Sequence, residues 1–239
     1  MNGEDRSFYG AIIIACIIGM IIISYTIMSS PKYEENFTEL YFYGEKVGLS
    51  EGEGEFGNYM IRLTDDGVFL VDRADQAEMG PFIRGSTIIL GDSYWYIEDI
   101  SSDGDEMLFR KIPLRATQGD VINGTFVIVN HKNRDLSYVY TVKTPIYSEE
   151  GSVTIGDGSK EVLDFFATLP VIDPEALEKT GEYTEEFDTY SRLVEEFGEY
   201  KRITLSDGSG TIDQYWRAKV SISLNTGEEI HFWIILDDE

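Results

Sequence analysis

This chain is short of the residues that usually carry chemistry or covalent bracing. Its 239 residues include one cysteine, two histidines and six prolines. A lone cysteine, Cys16, excludes an intramolecular disulfide and a thiolate metal cluster, so packing must hold the fold. Positive charge is scarce too: 19 Lys and Arg against 44 Asp and Glu leave a net charge of −25. Such a surface repels phosphate backbones and anionic headgroups, which excludes nucleic acid as a partner. No G-x-S-x-G elbow is present, and Gly52-Glu53-Gly54 lacks the lysine and following helix of a phosphate loop. With so many acids, no particular carboxylate pair stands out as catalytic.

There is one long apolar run. Phe8 to Met28 carries no formal charge over 21 residues, and as a helix it extends roughly 30 Å, a bilayer core's thickness. It is too long for a cleaved signal, and Ser29-Ser30-Pro31 is a poor cleavage site. A lipoprotein signal would end at its cysteine, whereas Cys16 sits mid-run. The expectation is an uncleaved signal anchor with the C-terminal part outside the cytoplasm. Glu4, Asp5 and Arg6 give almost no orientation signal. The outside placement rests on two N-glycan acceptor triplets, at Asn36 and Asn123. Ala11, Ala15 and Gly19 share one helix face at four-residue spacing, expected to meet another helix in a complex or homodimer.

After the anchor the chain reads as mainly β. Residues 31–44 are a juncture with a first strand at Leu40–Tyr43. Residues 45–115 are expected to form a small antiparallel β unit, its glycine-rich start (45–57) a loop or tether. Within it Tyr59–Leu63, the turn Asp65-Asp66-Gly67 and Val68–Val71 form a hairpin. Ser86–Leu90, Tyr94–Ile97 and Met107–Ile112 continue the pattern. Residues 116–239 are expected to be a sandwich: Gly124–Asn130 pairing back on Leu136–Val142, then Ile146–Ile155, Glu161–Leu169, Trp216–Leu224 and Glu229–Leu236. Helices are expected near 173–198. Asp173-Pro174 opens a short one that Gly181 stops. A second spans Thr184–Phe197, with Phe187, Tyr190, Leu193, Val194 and Phe197 as its stripe.

Three stretches carry a family resemblance. They are Phe37-Thr38-Glu39-Leu40-Tyr41 soon after the anchor, Gly119-Asp120 with Gly124–His131 and Tyr138, and the closing Leu224–Trp233. Together they resemble an archaeal membrane-protein family catalogued as domain of unknown function 1616, over Asn36–Tyr43 and Thr117–Glu239. The resemblance implies a surface protein with an Ig-like β-sandwich and no catalytic residues. The 45–115 block departs from that pattern. Its Gly91-Asp92-Ser93-Tyr94-Trp95-Tyr96 resembles the small β modules of methanogen surface-layer proteins.

Calcium is the one metal for which a loop offers ligands. Asp103, Asp105 and Glu106 cluster around Gly104 with Asp99 close by, although the EF-hand spacing is absent. Hairpin turns use the same residues. The two histidines, His131 and His231, adjoin apolar strands and form a site only if the fold joins them. The expected function is a membrane-anchored, extracytoplasmic β-domain protein with a structural or protein-interaction role in an archaeal envelope. Its partners would be envelope or membrane proteins, or copies of itself. The alternative is an accessory single-span subunit of a membrane enzyme or glycan-processing complex.

Overall fold

The computed structural model describes residues 36–237, which fold mainly as antiparallel strands. The expected anchor Phe8–Met28, with Ala11, Ala15 and Gly19, lies outside the described residues. Among the described residues no helix is long and apolar enough to cross a membrane.

The first strand, β1 (Phe37–Phe42), leads into a four-stranded pair of sheets before the main fold resumes. That inserted lobe contains β2 (Gly44–Gly48), β3 (Glu53–Phe56), β4 (Tyr59–Thr64), β5 (Gly67–Asp72), β6 (Glu78–Phe82), β7 (Thr87–Leu90), β8 (Ser93–Ile100) and β9 (Glu106–Arg110). One sheet has the order β2-β9-β8-β7, the other β3-β4-β5-β6. Between them lies a core built on Val47, Phe56, Ile61, Leu70, Ile97 and Phe109. The Asp65-Asp66 turn joins β4 to β5 in the expected hairpin, with Thr64 opposite Gly67. The glycine-rich segment, expected as a tether, is instead β2 and β3. A Cβ on Gly54 would sit 2.6 Å from Leu49 Cδ2 and 2.8 Å from the Gly48 carbonyl. Glycine there permits a close strand corner rather than looseness.

The chain returns toward the main fold at Lys111, and Arg115 already pairs with Ile235. Three backbone hydrogen bonds tie the two crossings together: Tyr43 N–H to the Thr125 carbonyl at 2.9 Å, Lys111 N–H to Tyr43 at 3.0 Å, and Thr125 N–H to Lys111 at 3.0 Å. Gly124 is required at this junction, because a Cβ would meet the Phe165 ring at 2.5 Å.

The remaining strands are β10 (Arg115–Thr117), β11 (Val121–His131), β12 (Leu136–Thr144), β13 (Tyr147–Ile155), β14 (Lys160–Thr168), β15 (Gly181–Glu186), β16 (Ser191–Phe197), β17 (Tyr200–Asp207), β18 (Gly210–Leu224) and β19 (Glu229–Asp237). Sheet I is β1-β11-β14. Sheet II has eight strands: β10-β19-β18-β17-β16-β15, with β12 on the C-terminal half of β18 and β13 beside it. Strand alternation explains the core. Ala218, Val220, Ile222 and Leu224 of β18 face Ile122, Phe126 and Ile128 of β11, all at most 5% exposed. Burying apolar side chains from both sheets is the main stabilising term.

Two expectations about pairing fail. Gly124–Asn130 and Leu136–Val142 do not form a hairpin: β11 pairs with β1 and β14, whereas β12 crosses to the opposite sheet. Both strands bury an apolar face, and facing each other across the core satisfies both. The polar loop between them is fixed by Asn130, whose amide donates to the Arg134 and Ile155 carbonyls. The segment 184–197 is also not a helix. It forms β15 and β16, turning where Phe187 and Tyr190 stack at 4.6 Å and the Phe187 N–H donates to the Tyr190 carbonyl. Of the expected helices near 173–198, one 3-10 turn remains at Pro174–Ala176, capped by Asp173.

A buried polar contact joins the sheets. Tyr138 is fully buried; its hydroxyl donates to Asn130 Oδ1 at 3.2 Å and lies 3.1 Å from Thr38 Oγ1. In Tyr138→Phe these partners lose their mate while the packing stays. The expected loss is about 1–2 kcal/mol, read as a lower urea midpoint at unchanged slope.

Candidate functional site

Where the inserted lobe meets sheet II there is an open cleft of about 590 Å³. Phe82, Thr87, Ile89 and Tyr94 wall it on the lobe side, and Arg115 and Ile235 on the sheet side. Strand β10 makes the sheet wall: it is the one parallel addition to sheet II among the described residues, placing Arg115 beside Ile235. The lobe wall is held in place by Leu114 N–H, which donates to Thr87 Oγ1 at 2.8 Å. Ile89 keeps 61% of its surface exposed there. Arg115 lies 3.4 Å from Asp237.

The cleft opens onto the outer face of sheet II, the face turned away from sheet I. Residues paired across antiparallel strands point to the same side. Because Ala218, Val220 and Ile222 point inward, Arg217 and Lys219 point outward. Lys201, opposite Arg217, and Trp233, opposite Lys219, share that outward face. Cations are concentrated here on a chain that has few. Most are neutralised locally: Arg115 by Asp237, Lys143 by Glu199, Arg192 by Glu185, Lys201 by Glu196 and Lys219 by Glu229. The Arg192 guanidinium is held above its ordinary range by the hydrogen bonds to Glu185. Glu229 is held below its range by its hydrogen bond from Lys219. Lys201 Nζ also sits 4.8 Å above the Trp233 ring, a cation–π contact.

The expected calcium ligands do not converge. Asp99 pairs with Arg84 at 3.5 Å and Glu106 with Lys46 at 3.6 Å. Asp103 accepts from the Asp105 N–H, and its carboxyl lies below the usual range through its hydrogen bond with Ser101, then that backbone bond. Among the described residues no three His, Cys, Asp or Glu side chains are grouped to hold a metal. The physical reason is that the loop spends its acids on the turn and on ion pairs with neighbouring strands. Calcium or a chelator is therefore expected to leave the melting temperature unchanged; calorimetry in each would check this.

The other expected positions are dispersed. Asn36 is exposed at the start of the described chain. Asn123 lies on the outer face of sheet I, opposite Phe166, and its Nδ2 donates to the Asp92 carbonyl of the inserted lobe. That nitrogen is the one a glycan would occupy, so glycosylation at Asn123 would displace this contact. His131 stacks on Phe37 at 4.6 Å, with Nε2 3.2 Å from Glu39 Oε1. His231 lies on sheet II opposite Ser221, so the two histidines sit on different sheets.

Sequence reading missed the cleft and the cationic face. Three-residue β10 is too short to show a period. The signal for the face lay in the alternating strand Trp216–Leu224, whose outward positions begin with Arg217 and Lys219. No protein-family model matches the chain, and no curated protein matches it either.

Proposed function

We propose that this is a membrane-anchored, extracytoplasmic β-domain protein with a structural or protein-interaction role in an archaeal cell envelope. The reading takes the Phe8–Met28 run as the anchor and the sandwich of sheets I and II as Ig-like. The observation that carries it is the outer face of sheet I. Tyr41, Val162 and Phe166 lie there 37%, 45% and 57% exposed, on strands that form the sheet's two edges. Edge strands with exposed apolar side chains offer both backbone hydrogen bonds and greasy surface to a neighbour. The acidic remainder keeps such a domain soluble and clear of anionic headgroups.

Crosslinking in intact cells, followed by identification of neighbours, tests the reading. Surface-layer or filament subunits, or copies of this chain, are the expected partners, with crosslinks reduced in Phe166→Glu. Stoichiometric recovery with polytopic enzyme subunits would replace the envelope role with the accessory-subunit one. Full protection of the chain from protease added to intact cells would overturn the outside placement.

A further inference from the structure

Arg217 stands out on the outer face of sheet II. Its guanidinium makes one hydrogen bond, from Nη2 to the Tyr215 hydroxyl at 3.3 Å, and lies 5.3 Å from that ring. Among the described residues it has no carboxylate partner, although five other cations on this face each have one. Its Nε is buried, with no acceptor among the described residues. A guanidinium fork with donors to spare is suited to a carboxylate.

Arg217 also stands in line with the cleft. The register runs Lys201, Arg217, Ile235, Arg115 across four adjacent strands, and Ile235 and Arg115 line the cleft. With strands about 4.8 Å apart, Arg217 and Arg115 are separated by about 10 Å, with the apolar Ile235 between them. Tyr215 and Trp233 are part-exposed rings on either side of this line.

We propose that Arg217 and the adjoining cleft form a binding site for an acidic saccharide, one sugar carboxylate seating on Arg217 and a neighbouring ring lying over Ile235 toward the cleft. Charge accounting selects this class. Among the described residues the face has one uncompensated cation, so it takes one anionic group. A ligand with several would find its other charges unmatched on this face and would meet the chain's net charge of −25, which disfavours acidic peptides and polyphosphates. The rest of the ligand must then be uncharged and present an apolar flank to aromatic and aliphatic side chains, as a pyranose ring does. The cleft volume falls within the range of small-ligand sites.

The test is calorimetric titration of the full-length chain in neutral-lipid nanodiscs. One probe is a glucuronate-containing disaccharide; the other is its uncharged glucose counterpart with the same linkage. The charged sugar is expected to bind tenfold or more tighter. Arg217→Gln should abolish that preference, Arg217→Lys should retain part of it, and 1 M salt should reduce it. Trp233→Ala should weaken both sugars alike. Unchanged melting of the two Arg217 variants would show that folding is intact; if Arg217→Gln does not fold, Arg217→Lys and the salt series decide. The proposal is overturned if the two sugars bind equally, if neither binds, or if the preference survives Arg217→Gln. It is also overturned if a short neutral peptide bearing one glutamate binds as tightly as the charged sugar.

Discussion

In a Phe109→Ala protein the Gly44–Arg110 lobe is expected to unfold while the two-sheet sandwich remains. Phe109 is fully buried and stacks on Phe56 at 4.4 Å, and Phe56 in turn meets Trp95 edge-on at 4.8 Å. Truncating such a ring removes its burial and leaves a cavity, at a cost of about 3–5 kcal/mol. A lobe of this size, burying a core of ten residues, has little more than that in reserve. The sandwich survives because its buried cluster is distinct from the lobe's, although Tyr94 and Tyr96 of the lobe pack against it, and because β1 and β11 pair directly, from Phe37 opposite His131 to Phe42 opposite Phe126. With the lobe disordered, the chain between them becomes a long loop, and closure entropy grows only slowly with length. Trp95 reports on the lobe, whereas Trp216 and Trp233 report on sheet II. In Phe109→Ala, single-tryptophan variants should show the Trp95 transition at much lower urea and the other two nearly unmoved. Coincident transitions would mean that the lobes fold as one unit.

The second large effect is expected at Glu195. Strands β15 to β17 extend sheet II as a wing, and on its inner side a charged row replaces the core: Glu182, Glu195, Arg202 and Trp216 stand opposite one another. The Glu195 side chain is 10% exposed and is bridged by Lys179 at 2.9 Å and Arg202 at 2.5 Å. The Arg202 guanidinium lies over both Phe197 and Trp216. Glu195→Ala strands Arg202 among those rings. Removing one partner of a buried pair costs about 3–5 kcal/mol, but Lys179 and Arg202 are part-exposed and regain water, so about 2–3 kcal/mol is expected. The acid dependence follows from the same geometry. Burial opposes ionisation of Glu195, but the hydrogen bonds from Lys179 and Arg202 outweigh it, and the carboxyl lies below its ordinary value of 4.5. The folded form therefore binds its proton less readily than the unfolded form. This contribution is complete above about pH 4.5 and is lost as pH falls through the lower folded value. The opening free energy of β15–β17 amides, taken from hydrogen exchange after correction for the intrinsic slowing of exchange in acid, should fall on acidification in the parent protein and show a weaker pH response in Glu195→Gln.

The strands were most legible where one face is buried and the other wet. Trp216–Leu224 and Tyr59–Leu63 alternate visibly because each has a single core to serve, and the Asp65-Asp66 turn fixes the register between its strands. Misreading arose where spacing was ambiguous. Phe187, Tyr190, Leu193, Val194 and Phe197 fit a helical stripe, yet Leu193 and Val194 point to opposite faces of β16, each covered by different neighbours. In β2 and β3, glycine marked close packing rather than slack. The partner of a strand was less legible than its existence, since Gly124–Asn130 and Leu136–Val142 have patterns that suit a hairpin and a cross-core pair equally. Arg217 was legible only as an outward position: its lack of a carboxylate partner among the described residues depends on what neighbouring strands bring beside it.

A tug on the chain ahead of Phe37 is borne first by the β1–β11 ladder. Drawn along the strand, its six residue pairs share the load; drawn sideways, they open one after another. Two side-chain rivets strengthen that grip, Thr38 against Tyr138 and Phe42 against Phe232, each fastening the leading strand to the opposite sheet. Tension at this end is thereby passed into the core between the two sheets before it reaches the inserted lobe.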